Sequence, residues 1–187
     1  MAMGGNNYGQ LGDGSTTNRL LPVQIDSNVT DLAAGHWQSF YIKGGSLFAM
    51  GRNNRGQLGD GSKKDSNNTF PDRLLPVLID QNVSKVSSGY EFSLYLKTNG
   101  DLYSMGSNEF GQLGNGQGGD FTLNFDSSTP VLVASEVSSM MTGYRHGYFV
   151  KKNGDLYSVG ANFHGNLGDG TTTNRNSPVK FSSGAQL

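Results

Sequence analysis

The sequence has no cysteine, so it forms no disulfide framework, binds no metal through thiolates and has no thiol nucleophile. It is also poor in charge: 16% of its 187 residues are Asp, Glu, Lys or Arg, against roughly 25% in ordinary soluble domains. Fourteen Lys and Arg stand against fifteen Asp and Glu, for a formal charge of −1. That balance lacks the basic excess of a polyphosphate binder, so no nucleic-acid partner is expected. No apolar run approaches the ~18 residues of a membrane-spanning helix. Met1-Ala2-Met3-Gly4 shows neither the basic region nor the apolar stretch of a signal peptide, and the compartment stays open. Helical periodicity is missing as well, since apolar residues never hold a 3.6-residue spacing over ten positions.

What is abundant is glycine, with 28 residues, and it recurs in register. Met3 to Gly14 reads Met-Gly-Gly-Asn-Asn-Tyr-Gly-Gln-Leu-Gly-Asp-Gly. The motif returns from Met50 to Gly61, from Met105 to Gly116 and from Val159 to Gly170. A Pro-Val pair follows each copy: Pro22-Val23, Pro76-Val77, Pro130-Val131 and Pro178-Val179. Between copies lies Val-x-x-apolar-x-x-Gly, at Val29 to Gly35, Val83 to Gly89 and Val137 to Gly143. The period is about 54 residues, close to the ~50 of a propeller blade.

Each unit reads as four short strands. One starts at the Pro-Val pair and the next is the Val-x-x-apolar stretch. The third is Ser39 to Ile42 with its counterparts Ser93 to Leu96 and Gly147 to Val150. It is apolar on both faces, as a strand sandwiched between sheets should be. The fourth is Leu47 to Met50, matched by Leu102 to Met105 and Leu156 to Val159. Small residues at one phase of it (Ala49, Ser104, Ser158) would let the neighbouring unit approach closely. Asn99-Gly100 and Asn153-Gly154 predict type I′ hairpins, with Gly44-Gly45 in the same place.

These motifs resemble the repeats of the RCC1 (regulator of chromosome condensation) family. The family pattern is Gly-x-Asn-x-x-Gly-Gln-Leu-Gly, then Pro-x-x-Val, then Val-x-x-apolar-x-x-Gly-x-x-His-Ser. The resemblance covers essentially the whole chain. The His-Ser pair is replaced by Gln38-Ser39, Phe92-Ser93 and His146-Gly147. The resemblance implies an all-β propeller of four-stranded blades, usually seven. Residues 1–187 are expected to form one repeat domain, with units at about 4–50, 51–105 and 106–159 and a partial unit at 160–187. That is about three and a half repeats, a partial propeller or arc. A longer chain, further copies or capping proteins are the expected routes to completing it.

No constellation of residues suggests catalysis, metal binding or a cofactor. Gly-Gln-Leu-Gly-Asp-Gly lacks the Lys-Ser/Thr of a phosphate loop, and no helix follows it. Asp13, Asp60 and Asp169 are lone carboxylates, far short of a calcium shell. His36, His146 and His164 sit at different repeat phases. The glycines and Asn6, Asn53, Asn108 and Asn162 read as turn-forming residues.

Specificity is therefore expected where the repeats differ. Two loops are longer than their counterparts, 62–73 and 117–126. The first offers Lys63, Lys64, Phe70 and Arg73, and the second Phe121 and Phe125. The residues after each repeat glycine also diverge: His36-Trp37, Tyr90-Glu91 and Tyr144-Arg145. Tyr, Trp and Arg are typical interface anchors. These features predict a non-catalytic scaffold for protein–protein interaction. The family resemblance adds two alternatives, nucleotide exchange on a small GTPase and inhibition of a secreted enzyme.

Overall fold

The computed structural model describes residues 1–62, 71–119 and 125–184. Among these there are fourteen strands and no helix. They form one two-stranded sheet and three four-stranded antiparallel sheets. The small sheet pairs β1 (Ala2–Gly4) with β2 (Arg19–Val23). The first full blade is β3 (Val29–Ala34), β4 (Gln38–Lys43), β5 (Ser46–Gly51) and β6 (Arg73–Asp80). The second is β7 (Val83–Ser88), β8 (Phe92–Lys97), β9 (Leu102–Gly106) and β10 (Ser127–Ala134). The third is β11 (Val137–Thr142), β12 (His146–Lys151), β13 (Leu156–Gly160) and β14 (Arg175–Ser182). Strands within a blade pair in sequence order. The small sheet carries the equivalents of the last two strands of a blade, so the described residues hold three full blades and, ahead of them in the chain, half of another.

The core lies between sheets. Phe40, Ile42, Leu47 and Ala49 of the first blade pack with Val83, Val86, Tyr95 and Met105 of the second. Leu94, Leu96 and Leu102 of the second join Val137 and Phe149 of the third. This explains why β8 is buried along nearly all of its length. It faces apolar neighbours on both sides, and its sequence Phe-Ser-Leu-Tyr-Leu carries no alternation for that reason.

Two local expectations are corrected. The outermost strands begin before the Pro-Val pair, at Arg73, Ser127 and Arg175 in the three full blades. Only the Gly44-Gly45 hairpin has both central residues at positive φ (56° and 77°). At Asn99-Gly100 and Asn153-Gly154 only the glycine does. The second and third blades have one more residue in this connection, which makes a three-residue loop. There Gly100 N donates to Lys97 O at 3.0 Å, and Lys97 N to Asp101 O at 2.9 Å. Asn99 Oδ1 accepts from Asp101 N at 3.0 Å, so the asparagine shapes the turn through its side chain.

The first three glycine-rich loops each reach from their own blade to the outermost strand of the next. Gly14 N donates to Leu74 O, Gly61 N to Ser128 O and Gly116 N to Asn176 O, at 2.8–3.0 Å. The approach leaves no room for side chains. A Cβ on Gly56 would lie 2.7 Å from Ser128 Cα, and one on Gly111 would lie 2.5 Å from Asn176 Cα. Gly56 also sits at φ +79°, whereas Gly170 has a similar φ of +77° but open space around it. Gly170→Ala should cost about 1 kcal/mol for backbone strain alone. Gly56→Ala adds a backbone clash and should cost at least ~2–3 kcal/mol more. Chemical denaturation of the two variants beside wild type checks the difference.

A second prediction concerns acid. Asp13, Asp60 and Asp169 accept bonds from a Ser or Thr hydroxyl and from Arg19, Arg73 and Arg175. Their pKa values are lowered. For Asp169 the hydroxyl of Thr171 and then the Arg175 guanidinium hold it at about 2, against an ordinary 3.8. A carboxylate lowered by folding stabilises the fold above its unfolded pKa and loses that contribution as pH falls to the folded value. Stability should therefore drop between pH 3.8 and about 2, and Asp169→Asn should flatten the drop in thermal melts across that range.

Candidate functional site

In an antiparallel meander, alternate connections emerge at the same end of the sheet. The β3–β4, β7–β8 and β11–β12 loops thus share one end with the glycine-rich loops that follow β1, β5, β9 and β13. These are the segments where the repeats differ most.

The glycine-rich loops are built on a buried asparagine. Asn6, Asn53, Asn108 and Asn162 are fully buried. Each Oδ1 accepts the N–H of a leucine five residues on (Leu11, Leu58, Leu113, Leu167) at 2.9–3.0 Å. Each Nδ2 donates to a side chain seven residues on: Asp13, Asp60, Asn115 or Asp169. The leucine is thereby aimed into the core, where Leu58, Leu113 and Leu167 have no exposure. The preceding glutamine fixes the tip. Gln10, Gln57 and Gln112 accept the N–H of Tyr8, Arg55 and Phe110 at 2.8–3.0 Å. Those three residues are thus displayed at one phase.

Adjacent loops are tied across blades. Buried Gln38 accepts from Trp37 N at 3.2 Å. Its Nε2 donates to Ser88 Oγ at 2.9 Å and, at 3.2 and 3.3 Å, to the carbonyls of Gly89 and Tyr90. Tyr90 N donates to Tyr144 O at 2.9 Å. The rings consequently form a continuous file. Tyr8 and Trp37 are 5.7 Å apart, Trp37 and Tyr90 5.3 Å, and Tyr90 and Tyr144 4.5 Å, with His36 against both Trp37 and Tyr90. Phe110 meets Phe163 edge-on at 5.3 Å. Two guanidiniums lie on the rings. Arg52 is 4.3 Å from the Trp37 ring and 4.7 Å from Tyr8. Arg145 is 4.7 Å from Phe110, 5.2 Å from Tyr90 and 5.5 Å from Tyr144.

The carboxylates of this face are gathered by Arg55. Its guanidinium bonds Glu109 and, at 3.2 Å, Asp126, and lies 3.7 Å from Glu91. Burial disfavours the Arg55 cation, yet Asp126, Glu109 and Glu91 together raise its pKa above the ordinary arginine value. Asp126 also accepts from Asn108 N at 3.1 Å, as Asp72 does from Asn53 N at 2.8 Å. Each of the two long loops is anchored in this way where it rejoins its blade.

Of the residues expected at an interface, the structure brings together His36, Trp37, Tyr90, Glu91, Tyr144 and Arg145. Arg73 does not join them. Its guanidinium is committed to the Asp60 carboxylate at 2.5 Å, the same internal pair as Arg19–Asp13 and Arg175–Asp169. Phe125 is half-buried beside Asp126. Lys63, Lys64, Phe70 and Phe121 lie outside the described residues. Sequence reasoning missed Tyr8, Arg52, Arg55, Glu109, Phe110 and Phe163. The signal was available, because Tyr8, Arg55, Phe110 and His164 share one position of the repeat. In the fourth copy Asn166 replaces the glutamine, and His164 enters no ring contact among the described residues.

The regulator of chromosome condensation (RCC1) repeat model matches residues 2–42, 44–96, 99–150 and 153–186, and a second model of the same repeat matches 83–112. The chain belongs to the RCC1 repeat family. It is 31% identical over 180 residues to the ultraviolet-B receptor UVR8 of Arabidopsis thaliana, covering 91% of this chain and 39% of that protein. It is 33% identical over 184 residues to the probable E3 ubiquitin-protein ligase HERC4 of Homo sapiens, covering 94% of this chain and 17% of that one. The chain therefore spans well under half the length of either RCC1-repeat relative. Among solved structures, yeast RCC1 (Prp20) bound to Kap60 superposes with a TM-score of 0.78 at 22% identity, over 97% of this chain and 44% of that one. Human WBSCR16 superposes with 0.77 at 21%, over 95% and 51%. These structures establish the propeller fold of the RCC1 repeats here.

Arg55 offers a direct test of the face's charge balance. Arg55→Gln would leave three carboxylates crowded together, with Asp126 nearly buried. The variant should lose about 1–3 kcal/mol at neutral pH. Urea unfolding of the variant beside wild type measures the loss.

Proposed function

We propose that this RCC1-repeat chain is a non-catalytic protein-interaction module and that its partner docks on the aromatic and arginine face. The observation that carries this reading is the unbroken file of rings from Tyr8 through Trp37 and Tyr90 to Tyr144, with Arg52 and Arg145 lying on it. Tyr144 is 58% exposed and Phe163 50% exposed. Large rings held in place by their neighbours give contact area at little entropic cost, and Trp, Tyr and Arg dominate binding hot spots.

The chemistry of the face fits binding better than catalysis. Its carboxylates Glu91, Glu109 and Asp126 are engaged by the Arg55 guanidinium. Its histidine, His36, is packed against two rings. The names of similar proteins fit an interaction role without defining it. One yeast RCC1 structure holds Kap60, and another is described with binding to Gsp1p and histones. Those partners belong to longer chains, and no feature of this face singles out nucleotide exchange or enzyme inhibition.

Site-specific photocrosslinking tests the reading. A benzophenone amino acid at Tyr144 or His36 should give a discrete protein adduct in extract of the source cells. Excess unlabelled wild type should compete it away, and a Trp37→Ala/Tyr144→Ala double variant should not. The same probe at Asn153, in the hairpin at the other end of the third blade, should give none. Adducts from Asn153 alone would move the interface to that end.

A further inference from the structure

The partner chemistry of the face follows from how its guanidiniums are used. Arg52 and Arg145 lie over ring faces, an arrangement that occupies the flat side of a guanidinium and leaves its N–H edge for in-plane acceptors. Among the described residues neither side chain donates a hydrogen bond. Arg145 Nη1 is 3.8 Å from Glu109, beyond hydrogen-bond length, and Arg52 acts on the Asp72 carboxylate through space. Glu91, Glu109 and Asp126 gather at Arg55, so Asp72 near Arg52 and Glu109 at ion-pair distance from Arg145 balance the two cations without occupying their N–H edges. Two oriented cations are left, separated by the floor of Trp37 and Tyr90.

We propose that this face binds an extended acidic peptide segment with carboxylates at positions i and i+4 and an aromatic side chain at i+2. The proposal rests on the interaction reading above and specifies its partner. Arg52 is 4.3 Å from Trp37, Trp37 is 5.3 Å from Tyr90, and Tyr90 is 5.2 Å from Arg145. An extended chain advances ~3.3 Å per residue, so at most about four residues span the path along that file. Side chains at i, i+2 and i+4 of a strand point to one side. The two carboxylates then meet the two guanidinium edges, and the aromatic ring lies on the Trp37–Tyr90 floor. A guanidinium edge matches a carboxylate in a two-bond fork. Polyphosphate fits less well, since its closely spaced charges would also meet Glu91 and Glu109 on the same face.

Trp37 is the sole tryptophan of the chain, so its emission reports this face alone. The probe is the capped peptide Glu-Ser-Tyr-Ser-Glu, titrated against the full chain by Trp37 fluorescence and by calorimetry. Its comparators are the Gln-Ser-Tyr-Ser-Gln isostere, a phosphotyrosine version of the Gln peptide, and oligothymidylate. The acidic peptide should bind at least about tenfold more tightly than its isostere, as expected for a charge-assisted hydrogen bond. Arg52→Gln and Arg145→Gln should each remove about that factor while lowering the melting temperature by no more than a few degrees, the loss of their contacts with the rings. Binding should weaken with added salt. Equal affinity for the acidic and isosteric peptides, preference for a phosphate probe, indifference to both arginine variants, or no binding at millimolar peptide would each overturn the proposal. If photocrosslinking through Tyr144 still yields a competed adduct in that event, the interface stands and only its acidic specificity fails. If both experiments fail, the interaction reading falls with it.

Discussion

The arrangement depends on a buried side-chain amide. In each glycine-rich loop one asparagine supplies the hydrogen bonds that strand neighbours would otherwise provide. It accepts from a leucine N–H and donates across the loop, with no exposure to water. An amide suits this position because it offers both a donor and an acceptor without a charge to desolvate. Its bonds close the loop, seat the leucine between blades, and bring the glycines against the next blade's outermost strand. Removing the amide would leave a leucine N–H buried without a partner, which costs about 1–3 kcal/mol.

The same loop couples stability to display. Its inner side is nearly invariant across the four copies, because the leucine and the asparagine face packed atoms in every copy and most of the glycines do in the first three. The outer tip varies freely, from half-buried Tyr8 and Arg55 to buried Phe110 and exposed His164. A rigid base and a variable tip let one backbone present different chemistry at regular spacing. The variation is also concerted. In the third copy Asn115 and Ser127 stand where the other copies have an Asp–Arg pair, so neither a carboxylate nor a guanidinium is left without its partner.

Charge on the outer face is organised by distance. Arg55 sits among three acids and neutralises them locally, whereas Arg52 and Arg145 lie on rings. Six ionised groups thus give little net field, in keeping with the low charge of the whole chain. What distinguishes the face is directional: flat rings and guanidinium edges fixed by buried glutamines.

The repeat was legible because its signals are local. Gly-Gln-Leu-Gly, the Pro-Val pair and the apolar third strand each reflect a constraint within a few residues, so composition and spacing determined the four-stranded units, the all-β class and the family resemblance. Three of the divergent loops, at His36-Trp37, Tyr90-Glu91 and Tyr144-Arg145, were legible for the same reason. The hairpin type at Asn99-Gly100 was misjudged because one extra residue changes the loop closure, which a dipeptide rule does not register. Arg73 could not be separated from the surface arginines, since its partner Asp60 lies thirteen positions away across a long loop. The joining of Tyr8, Trp37, Tyr90 and Tyr144 into one file was decided only by the tertiary structure. Those residues belong to four different loops, and only the packing of one blade on the next brings their rings within contact distance.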